Sequence, residues 1–275
     1  MPVRVIGIIN ASPESFYENS IKTNFKEVSK AARIMQEEGA DIIDVGAMST
    51  APYLETMVSA KEEIKRMKFT VEAVRDSCSL PISIDTPRSI VAKEAIDLGI
   101  DAINDITGLK YDENMKKVVS EFHIPVIIGA FAYKKGGSRS NLGRISGTVD
   151  VLRESIKLAK KAGVGDDNII IDPSIGFFRE EGKNPFFTQI EGARWYIRDI
   201  EVISKLTKIK TLSKPVCISV SRKSFIGALL GLDTQERLVP SIVSEVVSIM
   251  NGANVVRTHN VKETVQALTM LDLLY

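Results

Sequence analysis

The sequence predicts an α/β fold, a single (β/α)8 TIM barrel running over residues 1–275. Three observations predict it. Eight short β-branched runs recur along the chain. Most are continuously apolar, as strands covered on both faces are. Segments with helical spacing lie between them, and that alternation favours a parallel sheet with right-handed crossovers. No GxGxxG follows the first run and no P-loop glycine pattern occurs, which argues against an open nucleotide-binding sheet.

The elements follow in order. The strands are VRVIGII (3–9), DIIDV (41–45), PISID (81–85), DAIND (101–105), IPVIIG (124–129), NIIID (168–172), PVCISV (215–220) and NVVRT (254–258). After the first comes FKEVSKAARIMQEEGA, which places Phe25, Val28, Ala32 and Met35 near one stripe and stops at Gly39, a suitable helix terminator. The same spacing recurs in VSAKEEIKRMKFTVEAV, IVAKEAIDLGI, ENMKKVVSEF, TVDVLRESIKLAKKAG, ARWYIRDIEVISKL, PSIVSEVVSIMNGA and VKETVQALTMLDLL. Gly39, Gly99, Gly163 and Gly252 each precede the next strand. The longest non-periodic stretches, 10–24, 130–147 and 173–188, all follow strands, where barrel active-site loops belong.

Composition narrows the function classes. The 275 residues are 44% hydrophobic and 26% charged, ordinary for a globular chain. Lys and Arg number 36 against 35 Asp and Glu, so no charge excess recruits nucleic acid or a membrane surface. The two cysteines, Cys78 and Cys217, read as core residues of a reducing compartment, and the expected location is cytoplasmic. The opening MPVRVIGIIN reads as a strand, too short for a secretion or membrane segment. The charged KEEIKRMK (61–68) reads as solvated outer helix surface. RWYIRDI (194–200) reads as a face packed on the barrel or on a dimer mate.

Barrel chemistry sits at the C-terminal strand ends. Here these carry Asn10; Asp44 with Ser49 and Thr50; Asp85; Asn104 with Asp105; Asp172; Ser221, Arg222, Lys223 and Ser224; and Arg257 with His259. Strand 5 ends in Gly129 and offers nothing comparable. Asp44 and Asp105 have a second reading, as acceptors for loop amides. Seven of the eight strands nevertheless converge polar and charged groups on one mouth, and buried charges are costly unless paired. Asp85, Asn104, Asp172 and Lys223 suit a flat heterocycle with donors on one edge and acceptors on another. Arg257 and His259 form a separate cationic pair suited to a phosphate-type anion. His123 lies before strand 5, at the opposite end, and reads as structural.

At this point a resemblance enters. GIINASPESF, ADIIDVG.MST.P, PISIDT, INDITGL, DPSIGF, SRKSFIG and VVRTHNV resemble the dihydropteroate synthase family, in order and spacing, from residue 6 to about 262. The resemblance implies a homodimeric barrel that condenses a 6-hydroxymethyl-dihydropterin diphosphate with p-aminobenzoate, with Mg2+ as cofactor. It puts Asp85, Asn104, Asp172 and Lys223 on pterin-binding positions, and Asn10, Arg257 and His259 on diphosphate and Mg2+ positions. It puts Thr50, Arg222 and Ser224 near the arylamine. Lys223, Arg257 and His259 are then the catalytic set, and Arg257→Ala is expected to lower turnover by orders of magnitude while the barrel stays folded. The alternatives are a pterin-dependent methyltransferase and a non-catalytic pterin-binding paralogue.

The chain departs from the family in four places. After strand 2 it reads GAMSTAPY where GGESTRPG is usual, so Met48 replaces a glutamate and Ala51 an arginine. SPES stands for TPDS in the first loop, a mild change. The frequent MH at strand 5 is absent. DPSIGFF replaces DPGIGFG, and the lysine that often follows is absent, with Arg179 nearby. The pterin half of the site is intact by pattern and the acceptor half is altered, which raises a ribosylated aminobenzene as another possible acceptor.

Overall fold

Parallel strands must have both faces covered, and the apolar runs of this chain meet that demand by closing on themselves. The computed structural model describes residues 3–13, 17, 22, 24–133 and 141–274. The strands are β1 (Arg4–Asn10), β2 (Ile42–Gly46), β3 (Ile82–Asp85), β4 (Ala102–Asp105), β5 (Val126–Gly129), β6 (Ile169–Asp172), β7 (Phe178–Arg179), β8 (Thr188–Gln189), β9 (Cys217–Ile218) and β10 (Val255–Thr258). Eight of them form one sheet in the order β6-β5-β4-β3-β2-β1-β10-β9. A parallel bridge between Ile171 and Val216 links its two ends. The predicted barrel is therefore the observed one.

The helices are α1 (Phe25–Glu37), α2 (Ala60–Ser77), α3 (Ser89–Ile96), α4 (Met115–Glu121), α5 (Ile145–Lys161), α6 (Trp195–Ser204), α7 (Ser224–Leu230), α8 (Leu238–Met250) and α9 (Val261–Leu274). Side chains start the first two: Asn24 Oδ1 accepts from the Glu27 amide at 2.9 Å, and Ser59 Oγ from the Glu62 amide at 3.1 Å. Val28 and Ala32 of the expected α1 stripe are fully buried. Phe25, the first residue of α1, instead packs edge-on against Phe69 of α2 at 6.0 Å between ring centroids. All four glycines placed before strands have positive φ, from +77° at Gly99 to +105° at Gly252.

Strict alternation fails twice. The stretch 173–188 is not wholly irregular, because β7 and β8 pair there as a two-residue parallel ribbon. Two helices, not one, follow β9: SFIGALL forms α7, which buries Phe225 and Ile226 and ends at Gly231 with φ +69°. A helix this short is nucleated by its tertiary contacts, so periodicity alone did not reveal it. Among the described residues, no helix is long and apolar enough to cross a membrane.

The barrel interior decides where polarity can appear. Ile6, Ile127, Cys217 and Val255 form an apolar cluster separate from the larger core between strands and helices. Side chains alternate in and out with period two along a strand. Two and four residues beyond these apolar plugs come Ile8 and Asn10, Ser219 and Ser221, and Arg257 and His259, and all six line the cleft at the C-terminal mouth. At β5 the corresponding position is Gly129. A Cβ there would collide with the Ile106 carbonyl, so this strand end is reserved for a close chain crossing. Cys78 and Cys217 are both buried free thiols, as expected.

Candidate functional site

Below the mouth lies a pocket lined by Thr50, Asp85, Asn104, Asp172, Phe177, Ser219, Lys223 and Arg257, among others. Strand register builds it: Asp85 of β3 stands beside Asn104 of β4. All four residues expected to recognise a flat heterocycle are thus gathered in one place. Asn104 and Asp172 are buried, Asp85 and Lys223 half-buried.

The charges are wired to one another. Arg257 donates from Nε to Asp44 Oδ2 at 2.6 Å and from Nη2 to Asp85 Oδ2 at 2.8 Å. Ser83 Oγ donates to Asp44 Oδ1, and Asn104 Nδ2 approaches Asp44 Oδ2 at 3.4 Å. Asp172 Oδ1 accepts the Ser174 amide at 2.6 Å. Two groups keep capacity to spare. Asp85 Oδ1 is buried without a hydrogen-bond partner. The Lys223 ammonium lies 4.2 Å from the Phe177 ring centroid, and its donors take no hydrogen bond among the described residues. Gly176, at φ +84°, lets the loop after β6 pass close over the Lys223 stem.

Burial perturbs these groups as functional sites do. Asp85 is pushed up to about 7, by desolvation first and by Asp44 as well, against the pull of Arg257 and Lys223. Lys223 is pushed down to about 8 by burial, partly offset by Asp172. Burial raises Asp172. Burial also works against the Arg257 charge, but Asp44 and Asp85 outweigh it and hold its pKa above the ordinary value.

Above the pocket, an open cleft is lined by Asn10, Thr50, Tyr53, Phe177, Lys223, Ser224, Arg257 and His259, among others. Two loops form one wall. The segment after β2 is tied to the segment after β6 by the Lys183 amide donating to Pro52 O at 2.7 Å and by Asn184 Nδ2 donating to Ala51 O at 2.7 Å.

Three expectations need correction. Arg222 does not line the cleft with its neighbours Lys223 and Ser224. Its φ of +54° turns it the other way. Buried there, it donates to Asn260 Oδ1 at 3.0 Å and to the Thr234 and Gln235 carbonyls at 3.0 and 2.9 Å. It lies neither on the rim nor beside the site of a second substrate. Arg257 and His259 are not a separate cationic pair, because Arg257 belongs to the carboxylate cluster. His259 is driven well below its usual pKa by burial and by Arg257, Arg222 and Lys223, so the imidazole is neutral. Ser221 Oγ lies 3.1 Å from its Nδ1.

The two aspartates with a second reading divide. Asp105 accepts the amides of Thr107 and Leu109, both at 2.8 Å. Asp44 instead anchors Arg257. The inward period of β2 was the sequence signal for that role. His123 lies at the helix end leading into β5, with φ +52° and its carbonyl accepting from Asn168 Nδ2. Sequence reasoning missed Tyr53, Phe177 and Asn184, whose partners are far away in sequence. Glu14 of SPES and the KKGG of the loop after β5 lie outside the described residues.

Comparison with known proteins agrees with this geometry. Residues 6–259 match the family described as pterin binding enzyme. A dihydropteroate synthase of Clostridium beijerinckii is 36% identical over 98% of this chain and 93% of its own length. A dihydropteroate synthase structure from Coxiella burnetii, in complex with pteroic acid, superposes with a TM-score of 0.82 at 31% identity, covering 99% of this chain and 93% of that one. A Xanthomonas albilineans dihydropteroate synthase with 4-aminobenzoic acid gives a TM-score of 0.83 at 26% identity, covering 99% and 93%. On these grounds the chain belongs to the pterin-binding enzyme family, as a relative of dihydropteroate synthases along almost its whole length.

Proposed function

We propose that this chain is a dihydropteroate synthase, a transferase of folate biosynthesis that joins 6-hydroxymethyl-7,8-dihydropterin diphosphate to p-aminobenzoate and releases diphosphate. The observation that carries this is the buried pocket in which Asp85 Oδ1 has no partner while the Lys223 donors are uncommitted. An orphaned buried acceptor beside uncommitted donors is costly unless a ligand completes it. A pterin offers ring N–H groups to Asp85 and Asp172, and ring oxygen or nitrogen to Lys223 and Asn104.

The chemistry requires no enzymic nucleophile. The C–O bond to diphosphate breaks as the electron-rich pterin stabilises positive charge on the methylene carbon. The arylamine nitrogen then forms the C–N bond and sheds one proton. Positioning supplies much of the acceleration. Arg257, fixed by Asp44 and Asp85 and with Nη1 not hydrogen-bonded among the described residues, provides a preorganised cation for the leaving group. His259, neutral because burial and the neighbouring cations hold its pKa down, lines the same cleft as Arg257.

A magnesium ion fits this arrangement. Such ions are usually held by one or two protein oxygens together with substrate phosphates. Asn10 offers a hard amide oxygen on the cleft wall, and no cluster of three or more His, Cys, Asp or Glu forms a cation cage among the described residues. Asn10 would hold the ion, which would neutralise charge on the departing diphosphate. A cytoplasmic homodimer is part of the same reading. Val239, Val243, Val247 and Met250 form an exposed apolar stripe along α8, and Leu229 and Leu230 of α7 are exposed as well.

The test is diphosphate release from the pterin diphosphate with Mg2+, comparing p-aminobenzoate with a ribosylated aminobenzene. Release with p-aminobenzoate supports the proposal. Release only with the ribosylated amine reassigns the acceptor, and no release with either overturns it.

A further inference from the structure

The cleft lacks the arginine that the family usually carries after strand 2, and Met48 and Ala51 leave that loop without a cation facing the acceptor. A guanidinium nevertheless lies against this wall from another strand, behind the lining residues rather than among them. Arg179 of β7 is 7% exposed. Its Nη2 donates to Ser224 Oγ and its Nε to Gly176 O at 3.0 Å. Its guanidinium carbon sits 3.4 Å from the Trp195 ring centroid and 5.3 Å from that of Tyr53. Ser224, Tyr53 and Gly176 all line the cleft.

The position is chemically unusual. Arg179 forms no ion pair among the described residues, and its Nη1 takes no hydrogen bond there. Burial disfavours its charge, and the nearest helpful acids, Asp199 and Glu180, act only from a distance. Asp199 is committed to Arg198 at 3.0 Å. A buried cation without a touching anion is costly, and a chain keeps one where a ligand supplies the missing charge. Two aromatic faces hold the guanidinium flat and reduce the entropy of pinning it.

We propose that Arg179 is the specificity-determining cation of the acceptor subsite: from behind the cleft wall it donates to Ser224 Oγ, sets that hydroxyl to donate in turn to the carboxylate of an arylamine acid, and favours the acid's negative charge at short range, from a strand different from that of the missing loop arginine. This deepens the function proposed above and rests on it. It commits the acceptor to the class of arylamines bearing an anionic group para to the amine, and it makes Ala51 tolerable.

The experiment measures kcat/KM for p-aminobenzoate and for its neutral isostere p-aminobenzamide, in the wild type and in Arg179→Gln and Arg179→Lys. Thermal melts establish that each variant is folded. Expected is a fall in the acid-over-amide preference of about ten- to a hundredfold in Arg179→Gln, the size of a charged hydrogen bond. Arg179→Lys should recover part of it, because the charge remains but the planar fork is lost. A preference retained in Arg179→Gln, or acid and amide falling by the same factor, overturns the assignment. If the wild type turns over neither acceptor, the synthase reading itself fails. Calorimetric binding of the two compounds, with 6-hydroxymethyl-dihydropterin and diphosphate present, then decides on Arg179. Selective loss of acid binding in Arg179→Gln upholds its role, and equal binding of acid and amide by the wild type refutes it.

Discussion

The floor of the active-site mouth and its rim are built differently. The floor consists of side chains at strand ends: Asp44, Asp85, Asn104 and Arg257 are joined to one another by hydrogen bonds, and Asp172 is held by the Ser174 amide. The rim consists of loops after β2 and β6 that hold each other by Pro52–Lys183 and Ala51–Asn184 contacts. A floor whose groups depend on each other resists substitution, because removing one charge strands another. A rim held by a few separate bonds can exchange one cation for another and keep its shape. That difference explains how the chain retains the pterin half of the family pattern while its acceptor half has changed.

The largest expected effect would break the floor. Arg257→Ala removes a preorganised cation, and turnover should drop on the order of 100- to 1,000-fold. Because it also strands Asp44 and Asp85, stability should fall by about 3–5 kcal/mol, a cost that the sequence alone did not foresee. Steady-state kinetics and chemical denaturation check the two parts. Turnover within a few-fold of wild type would mean that Arg257 only ties strands together.

Titration of the floor comes next. Asp85 must be ionised to accept ring N–H groups, and its pKa is raised to about 7. Lys223 must be protonated to donate, and its pKa is lowered to about 8. Affinity for the pterin substrate should therefore decline as pH falls below about 7 and as it rises above about 8, approaching tenfold per pH unit on each side. A kcat/KM profile for the pterin diphosphate tests this. Lys223→Arg should abolish the alkaline limb, since a guanidinium keeps its proton.

A smaller effect would isolate the rim. Asn184→Ala removes the bonds to Ala51 O and to the Phe186 amide. Loss of the Ala51 bond that ties the two loops, at about 1 kcal/mol, should raise KM for the acceptor roughly fivefold. KM for the pterin should move far less. Equal shifts in both constants would show that floor and rim are not separable.

The smallest effect lies outside both regions and serves as a control. Glu245 on α8 is buried, accepts Thr264 Oγ1 at 2.7 Å and leaves Oε1 without a partner. Burial raises it from 4.5 to about 7. The folded state thus holds its proton more tightly than the unfolded chain. The stability this gives is complete below pH 4.5 and lost as pH rises through about 7. Glu245→Gln should melt a few degrees above wild type at pH about 8, and the gap should close towards pH about 5. A gap independent of pH would argue against the raised carboxyl.

How legible the molecule was depended on sequence distance. Eight apolar runs, their alternation with helices and the polar residues ending seven of the strands follow from periods of two and 3.6, so barrel and floor residues could be read from the chain. The short α7 and the β7–β8 ribbon could not, because elements of seven and two residues owe their existence to packing rather than periodicity. Arg222 was misplaced for a local reason: one left-handed residue reverses the direction of a side chain, and neighbours in sequence then face opposite ways.

The sequence by itself determined which strand ends meet at the mouth, since alternation fixes which side chains point inward and barrel closure brings the inward ones together. Only the tertiary structure decided how they are wired: that Arg257 joins Asp44 to Asp85 across 213 and 172 residues, and that Arg179 reaches Ser224 across 45. Hydrogen bonds and ion pairs between remote segments depend on ångström-scale distances that no local pattern encodes. For the same reason, the chemistry of the floor was evident in the chain, whereas the cation of the rim emerged only from the fold.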